Sequence, residues 1–204
     1  MARRSFPRGM IELSSDDGGD TALARVVALN EGAKAIRRSA FEVNLRALGA
    51  IVQSRRAGAS LRGFAEVSTQ MQRWSETLAS ASARLAKGCT TRVRAVSDDA
   101  RRSRQRALLC RALEGASTGL DAPSMPEVAP PRDLRSSARE VRLAVSELHA
   151  LGLMASVLAR AALIEACEGD AAQRRDLSAI SREFAAHADE VNAVVRALVD
   201  TMEQ

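Results

Sequence analysis

Apolar residues recur every three or four positions in four separate runs along the chain, which is the spacing of one face of a helix. The first run consists of Val26, Leu29, Ala33, Ile36, Ala40 and Val43. The second run begins beyond Gly58 and consists of Phe64, Val67, Met71, Trp74, Leu78, Ala81 and Leu85. Alternating steps of three and four are typical of coiled-coil helices. Because glycine accepts the left-handed backbone that ends a helix, the pattern predicts two long helices that reverse direction at Ala57-Gly58.

Each of the two helices has one further feature in its sequence. Near the end of the first helix, Leu45, Leu48 and Val52 are three and four residues apart and therefore share one face. In the second helix the periodicity weakens at Gly88, and Ser97 followed by two aspartates offers a new helix start. We therefore expect a break or kink between Gly88 and Ser97, followed by a short extra helix that ends near residue 114.

The second half of the chain begins after a proline-rich stretch. Residues 115–132 hold four of the five prolines, which is typical of a linker. A third helix is expected over 133–167, and the fourth run follows a turn at Gly169-Asp170. The chain is therefore expected to consist of a flexible tail at 1–19, with Asp20 or Thr21 capping the first helix, a first hairpin plus extra helix at 20–114, the linker at 115–132 and a second hairpin at 133–204.

The fourth run repeats the second at one constant offset along the chain, the offset that relates Phe64 to Leu177. Its members are Leu177, Ile180, Phe184, His187, Val191, Val194 and Leu198. Arg175 and Ser181 also match Arg62 and Ser68 at this offset. We interpret the match as an internal duplication that places two hairpins in tandem. The predicted fold class is all-α, with long antiparallel helical hairpins that form a four-helix coiled-coil bundle.

Composition also favours helices over strands. Aromatic residues make up 2% of the chain and tyrosine is absent, whereas β-sheets favour aromatic and β-branched residues. Cys89, Cys110 and Cys167 are odd in number and lack metal-ligand spacing, which indicates reduced thiols in a cytoplasmic protein. The net charge of +5 permits an acidic partner without requiring one.

No targeting or membrane-spanning segment is expected. The basic first ten residues are not followed by the apolar stretch of a secretory signal. The longest apolar stretch, 151–164, is interrupted by Ser156 and Arg160 and is shorter than the roughly 18 residues that a membrane span needs. These features also predict a cytoplasmic location.

The residues around the turn follow one another in a specific order. They are Asn44, Ala47, Leu48, Ala50, Arg56, Ala57, Gly58, Arg62, Gly63, Phe64, Ala65 and Val67. In this order they resemble the hairpin tip of the cytoplasmic signalling domain of methyl-accepting chemotaxis receptors, where an arginine-alanine-glycine turn precedes arginine-glycine-phenylalanine. Gly49 and Gln53 depart from the resemblance, because the family usually carries asparagine and glutamate at these positions.

The resemblance implies a non-enzymatic signalling or scaffold protein. Its hairpin tip would bind other receptor-like tips, a histidine kinase or the coupling protein of that kinase. The residues that would carry these contacts are Asn44, Leu48, Gln53, Arg56, Arg62 and Phe64. Read from the residues alone, Phe64 fits the helical core equally well, and the arginines fit a role in covering the helix ends. The oligomeric state stays open, a homo-oligomer included.

The alternative function is the binding of a ligand by a core histidine. His187 falls on the predicted seam of the fourth helix, and His149 lies near the edge of the seam of the third. A core histidine can ligate haem or a metal, so a four-helix sensor that binds a small ligand or haem near His187 is the alternative. No second histidine at ligand spacing accompanies it, so a histidine satisfied by a neighbour is the simpler interpretation. We therefore expect no metal and no cofactor.

The charged runs of the sequence do not indicate a further binding function, and the sequence carries no catalytic motif. The arginine-rich run 101–106 has no aromatic neighbours and follows Asp98 and Asp99, which favours a solvated helix face over nucleic-acid binding. The acidic residues within 165–170 are likewise interpreted as solvated charge rather than a cation site. The chain has no nucleophile motif, phosphate-binding loop or acid-base pair, so we do not expect an enzyme.

Overall fold

The computed structural model describes residues 17–58, 61–116, 132–168 and 170–203, and these residues form four helices and no strand. The helices are α1 (Asp17–Ala57), α2 (Arg62–Ala116), α3 (Arg132–Glu165) and α4 (Ala171–Glu203). The all-α prediction is therefore confirmed. The predicted tail falls outside the described residues except at its last three positions, and most of the predicted linker, residues 117–131, also lies outside them.

The four helices pack side by side as a bundle in which each helix contacts two neighbours. Both α1 and α3 pack against α2 and α4, so α1 and α3 stand at diagonal corners. Between α1 and α4, Ser39 contacts His187 and Arg46 pairs with Glu183, so residue numbers rise along one helix as they fall along the other. Neighbouring helices α1 and α4 therefore run in opposite directions.

The two hairpin turns meet at one end of the bundle, which we call the tip. Gly58 has a φ of +87°, the left-handed backbone expected at the first turn, and its carbonyl accepts a hydrogen bond from the Leu61 amide. At the second turn, Asp170 and Gln173 cap α4 by exchanging backbone-to-side-chain hydrogen bonds of 2.8 and 3.2 Å. Gly63 lies directly against Glu165, so the two turns are adjacent.

The core consists of residues that repeat every seven positions in each helix. The large buried side chains of α2 and α4 include Phe64, Met71, Leu78, Leu85, Leu177, Phe184, Val191 and Leu198. The seam of α1 combines larger and smaller residues, namely Leu29, Ala33, Ile36, Ala40, Val43, Ala47 and Ala50. Toward the tip, the buried residues of α3 and of the turn that follows it are all small: Gly152, Ala155, Ala159, Ala162 and Ala166. The predicted seams are thus buried or partly buried wherever the structure describes their side chains.

The predicted repeat between α2 and α4 also holds for burial. At the offset that relates Phe64 to Leu177, each of the seven buried residues of α4 matches a buried residue of α2. The match includes the serine pair Ser68 and Ser181, both of which are inaccessible to solvent. The two hairpins therefore present the same register to the shared core.

Two predicted helix boundaries are wrong. Helix α2 continues through Gly88 and Ser97 without the expected break, and α1 begins at Asp17 rather than at residue 20 or 21. Gly88 is buried, and a Cβ atom there would lie 3.1 Å from Val141 Cγ2, so this glycine allows close packing against α3 instead of ending α2. Because α2 has 55 residues and the other helices 33 to 41, its arginine-rich end extends beyond the bundle.

Helix α3 has an unusually apolar surface for a helix of this bundle. Among the described residues, the segment Arg135–Glu165 is long and apolar enough by composition to cross a membrane, because an 18-residue window within it has a mean hydropathy of 1.5. Core helices of bundles can pass the same test, but only 28% of this apolar window is buried in the bundle. Much of the apolar surface of α3 therefore faces outward.

Two glycines near the tip should respond oppositely to alanine. A Cβ atom would meet nothing within 4 Å at either Gly58 or Gly49, so backbone conformation alone decides the outcome. Gly58→Ala should lower the free energy of unfolding by about 1–2 kcal/mol because Gly58 has a positive φ. Gly49→Ala should raise it by about 0.5–1 kcal/mol because Gly49 lies within a helix. Urea denaturation of both variants provides the measurement, and a stabilising Gly58→Ala would contradict the turn geometry.

The equivalent serines Ser68 and Ser181 should also respond oppositely to alanine. Ser181 Oγ donates across the interface to the Ala162 carbonyl at 3.0 Å, or within α4 to the Leu177 carbonyl at 2.8 Å. Ser68 Oγ is buried and has no hydrogen-bond partner among the described residues. Ser181→Ala should therefore destabilise the protein by about 1 kcal/mol, whereas Ser68→Ala should stabilise it by a similar amount. Thermal melts of the two variants measure the difference, and equal losses would show that Ser68 has a partner.

Candidate functional site

The residues expected to contact partners cluster around the first turn but differ in exposure. Gln53, Arg56 and Arg62 are exposed beside the turn, and Leu48, five residues before Gln53, is 44% exposed. Asn44 is half-buried, and its Oδ1 atom is buried with no hydrogen-bond partner among the described residues. Four of the six predicted residues therefore present their side chains to solvent at the tip.

Phe64 is a core residue rather than a contact residue. Its side chain is only 1% exposed and belongs to the main core cluster. The periodicity of α2 explains this position, because Phe64 begins the seam that continues to Met71 and Leu78. The sequence left open whether Phe64 contacts a partner or packs in the core, and the structure supports a position in the core.

An exposed apolar stripe runs down α1 from the tip. It consists of Phe41, Leu45, Leu48 and Val52, which are 44–64% exposed, and we call it the first ridge. The residues are four, three and four positions apart, so they project from one side of the helix over about 16 Å. Their side faces away from the seam that contains Val43, Ala47 and Ala50. The sequence had grouped Leu45, Leu48 and Val52 on one face, but Phe41 and the outward direction of that face were missed.

A comparable stripe runs down α3. Leu153, Val157 and Ile164 are 60–68% exposed and share one outward side, and we call them the second ridge. Arg160 interrupts this ridge one turn above Val157 and is also exposed. Because α1 and α3 occupy diagonal corners and each ridge faces away from the core, the two ridges point in opposite directions.

The two turns differ in charge although they lie side by side. The first turn follows Arg55 and Arg56, both exposed in the last turn of α1. The second turn carries the exposed carboxylates of Glu168 and Asp170, and Asp170 also caps α4. Cations near the C-terminus of α1 and an anion at the start of α4 both complement the helix dipoles. The tip therefore has a basic side on α1 and an acidic side at the turn between α3 and α4.

His187 lies between α1 and α4 and is surrounded by side chains of the protein itself. Its side chain is 14% exposed, with Nδ1 3.3 Å from Ser39 Oγ and 3.4 Å from Glu190 Oε2. Nε2 lies 3.4 Å from Glu42 Oε2. Both ring nitrogens thus face polar neighbours from the chain, as expected of a histidine satisfied by its surroundings.

The remaining chemical candidates lie away from the tip. Among the described residues, no three His, Cys, Asp or Glu side chains are arranged to hold a metal ion. Burial raises the pKa of the Cys89 thiol to about 11, against the opposing effect of Arg92, so this buried thiol is not an activated nucleophile. A cavity of about 160 Å³ opens at the opposite end of the bundle, lined in part by Arg25, Arg92 and Arg142.

Comparisons of this chain with protein-family models, with curated proteins and with solved structures find no match.

Replacing His187 tests whether it has a structural role. His187→Leu should lower the free energy of unfolding by about 1 kcal/mol, because it leaves the Ser39 hydroxyl, in a residue only 3% exposed, without its cross-helix partner. The double variant Ser39→Ala/His187→Leu should recover part of this loss. Thermal melts measure both effects, and absorbance spectra test for a bound chromophore. A spectrum with a Soret band that disappears in His187→Leu would favour the haem-binding alternative instead.

Proposed function

We propose that this protein is a non-enzymatic signalling or scaffold protein whose tip binds other proteins of a chemotaxis-type pathway. Its partners would be receptor-like tips, a histidine kinase or the coupling protein of that kinase, and it would act in the cytoplasm. In this proposal the bundle is an antiparallel four-helix coiled coil, and its two tandem hairpins correspond to the two subunits of a receptor dimer. The resemblance around Gly58 supplies the identity of these partners.

The observation that carries the proposal is the first ridge next to the first turn. Large apolar side chains exposed in a continuous stripe are typical of protein-binding surfaces. Leu48 and Val52 lie on this ridge, and the exposed polar residues Gln53, Arg56 and Arg62 lie at its tip end. An apolar stripe with a polar and charged margin is the usual composition of a protein interface.

The packing below the tip offers a way to transmit a signal. The fully buried residues of α3 in this region are glycine and alanine, and small residues allow helices to shift with little steric resistance. Asn44 Oδ1 and Ser68 Oγ are buried here without hydrogen-bond partners among the described residues. Because unsatisfied polar atoms weaken the packing in which they lie, this layer is suited to alternative arrangements.

Gly49 and Gln53 are relevant to whether binding at the tip would activate the kinase. The family usually carries a glutamate where this chain has Gln53, and an amide cannot form the charge-assisted hydrogen bonds of a carboxylate. Gly49 removes a polar side chain from the exposed side of α1. We therefore propose that the protein joins receptor-like assemblies without activating the kinase in the way an unaltered tip does.

Capture of purified partners tests the proposal. The immobilised protein should retain a purified chemotaxis-type histidine kinase or its coupling protein, and Arg62→Glu should weaken retention by about tenfold because Arg62 is exposed at the turn. Arg106→Glu is the matched control, since it makes the same charge change on the exposed far end of α2. The same assay with receptor-like tips as the captured protein tests the first ridge, and Leu48→Glu should weaken their retention.

Two results would contradict the proposal. One is that the wild-type protein retains neither the kinase, nor the coupling protein, nor receptor-like tips. The other is that Arg62→Glu, Leu48→Glu and Arg106→Glu all behave like the wild type. Circular dichroism of each variant checks that the bundle is intact.

A further inference from the structure

The two exposed ridges occupy equivalent places in the two hairpins. Buried residues of α1 and α3 match at one constant offset along the chain, which relates Ile36 to Leu148 and Ala47 to Ala159. The same offset relates Phe41 to Leu153, Leu45 to Val157 and Val52 to Ile164. Arg46 of α1 pairs with Glu183 of α4, and the Ala162 carbonyl of α3 accepts a hydrogen bond from the nearby Ser181, so the two ridges lie at about the same height below the tip. When two molecules stand side by side with their tips level, the first ridge of one faces the second ridge of the other along its whole length.

The charges beside the two ridges have opposite signs. Residues 41–58 contain three arginines and one glutamate, for a net charge of +2. Residues 153–170 contain one arginine and three acidic residues, for a net charge of −2. At the offset that relates the two ridges, Arg56 lies at the height of Glu168. Two level tips would thus bring the basic turn of one molecule to the acidic turn of its neighbour.

We propose that copies of this chain assemble side by side with their tips level, the first ridge of one copy packing against the second ridge of the next. Three apolar layers form the contact: Phe41 with Leu153, Leu45 with Val157, and Val52 with Ile164. Arg56 pairs with Glu168 at the tip end of the contact. This partner accounts for the large apolar surface that α3 leaves outside its own bundle.

The alternative pairings of like ridges are opposed by charge. Two second ridges with tips level would place Arg160 against Arg160 and the acidic turns against each other. Two first ridges would place the arginine pairs at positions 55 and 56 together. In the mixed pairing Arg160 faces Leu48, which carries no charge. Charge therefore selects the contact between unlike ridges.

An assembly of this kind grows without closing. Because the two ridges of one molecule point in opposite directions, a molecule bound through one ridge leaves the other free for a further copy. The inference shares the first ridge with the proposed function but needs no second protein, so the purified chain tests it separately. A chain that assembles with itself but captures no pathway protein would contradict only the proposed function.

Sedimentation velocity of the purified protein over a range of concentrations provides the test. The wild type should form species that grow with concentration. Leu45→Glu and Val157→Glu should each stay monomeric, or shift assembly to concentrations about tenfold higher or more. An equal mixture of the two variants should form dimers that do not grow, because each molecule keeps one intact ridge. Leu109→Glu on the far end of α2, where Leu109 is 62% exposed, should assemble like the wild type.

Several outcomes would overturn the proposal. A wild type that is monomeric at all concentrations would do so, as would a mixture of the two ridge variants that remains monomeric. Assembly lost in only one of the two variants would indicate that like ridges pair. Co-sedimentation of a monomeric wild type with phospholipid vesicles, abolished by Val157→Glu, would assign the second ridge to a lipid surface. Circular dichroism confirms that each variant is folded, and Ile164→Ser replaces Val157→Glu if the latter is not.

A charge exchange tests the tip end of the contact. Arg56→Glu and Glu168→Arg should each weaken assembly, because each places like charges together between neighbouring copies. The double variant Arg56→Glu/Glu168→Arg should restore it, and salt should weaken the wild-type assembly. A double variant that assembles no better than either single variant would contradict the pairing of basic and acidic turns.

Discussion

The core of this bundle accepts only one narrow seam from each helix, and this limit decides the position of every other apolar residue. With two neighbours per helix, the buried positions repeat every seven residues and occupy one side. Leu45 is no less apolar than Leu78, yet Leu78 is buried and Leu45 is 56% exposed. The difference comes from register, because Val43 and Ala47 on either side of Leu45 take the inward positions. The exposed ridges are therefore a consequence of which seam is buried.

Near the tip, the division of large and small side chains between the helices keeps the core filled. Both α1 and α3 contribute mostly alanine there, whereas α2 and α4 contribute Phe64 and Phe184 to the same core cluster. Small residues on one diagonal pair leave room for aromatic side chains from the other pair. A layer of this kind is suited to the small helix shifts that the proposed signalling role requires.

The two hairpins agree in their cores and differ on their surfaces. Ser68 and Ser181 occupy equivalent buried positions, whereas Leu48 is matched by Arg160 and Arg56 by Glu168 on the outside. Core positions are restricted by volume and by the need to satisfy buried polar groups, but surface positions carry no such restriction. The polarity of the molecule, with a basic and an acidic side, is thus a surface property built on a repeated core.

The sequence by itself determined the four helices, the reversal at Gly58 and the seams of α2 and α4, because helical periodicity and the backbone freedom of glycine are local properties. Only the tertiary structure decided that the seam of α1 continues inward through Ala47 and Ala50 and that the face with Leu45 lies outside. Near the tip the alanines of this seam are buried and the larger Leu45 is exposed, because α2 and α4 fit closely against small residues. Packing likewise placed Phe64 in the core and kept α2 continuous through Gly88, since a close neighbour such as Val141 cannot be read from local spacing.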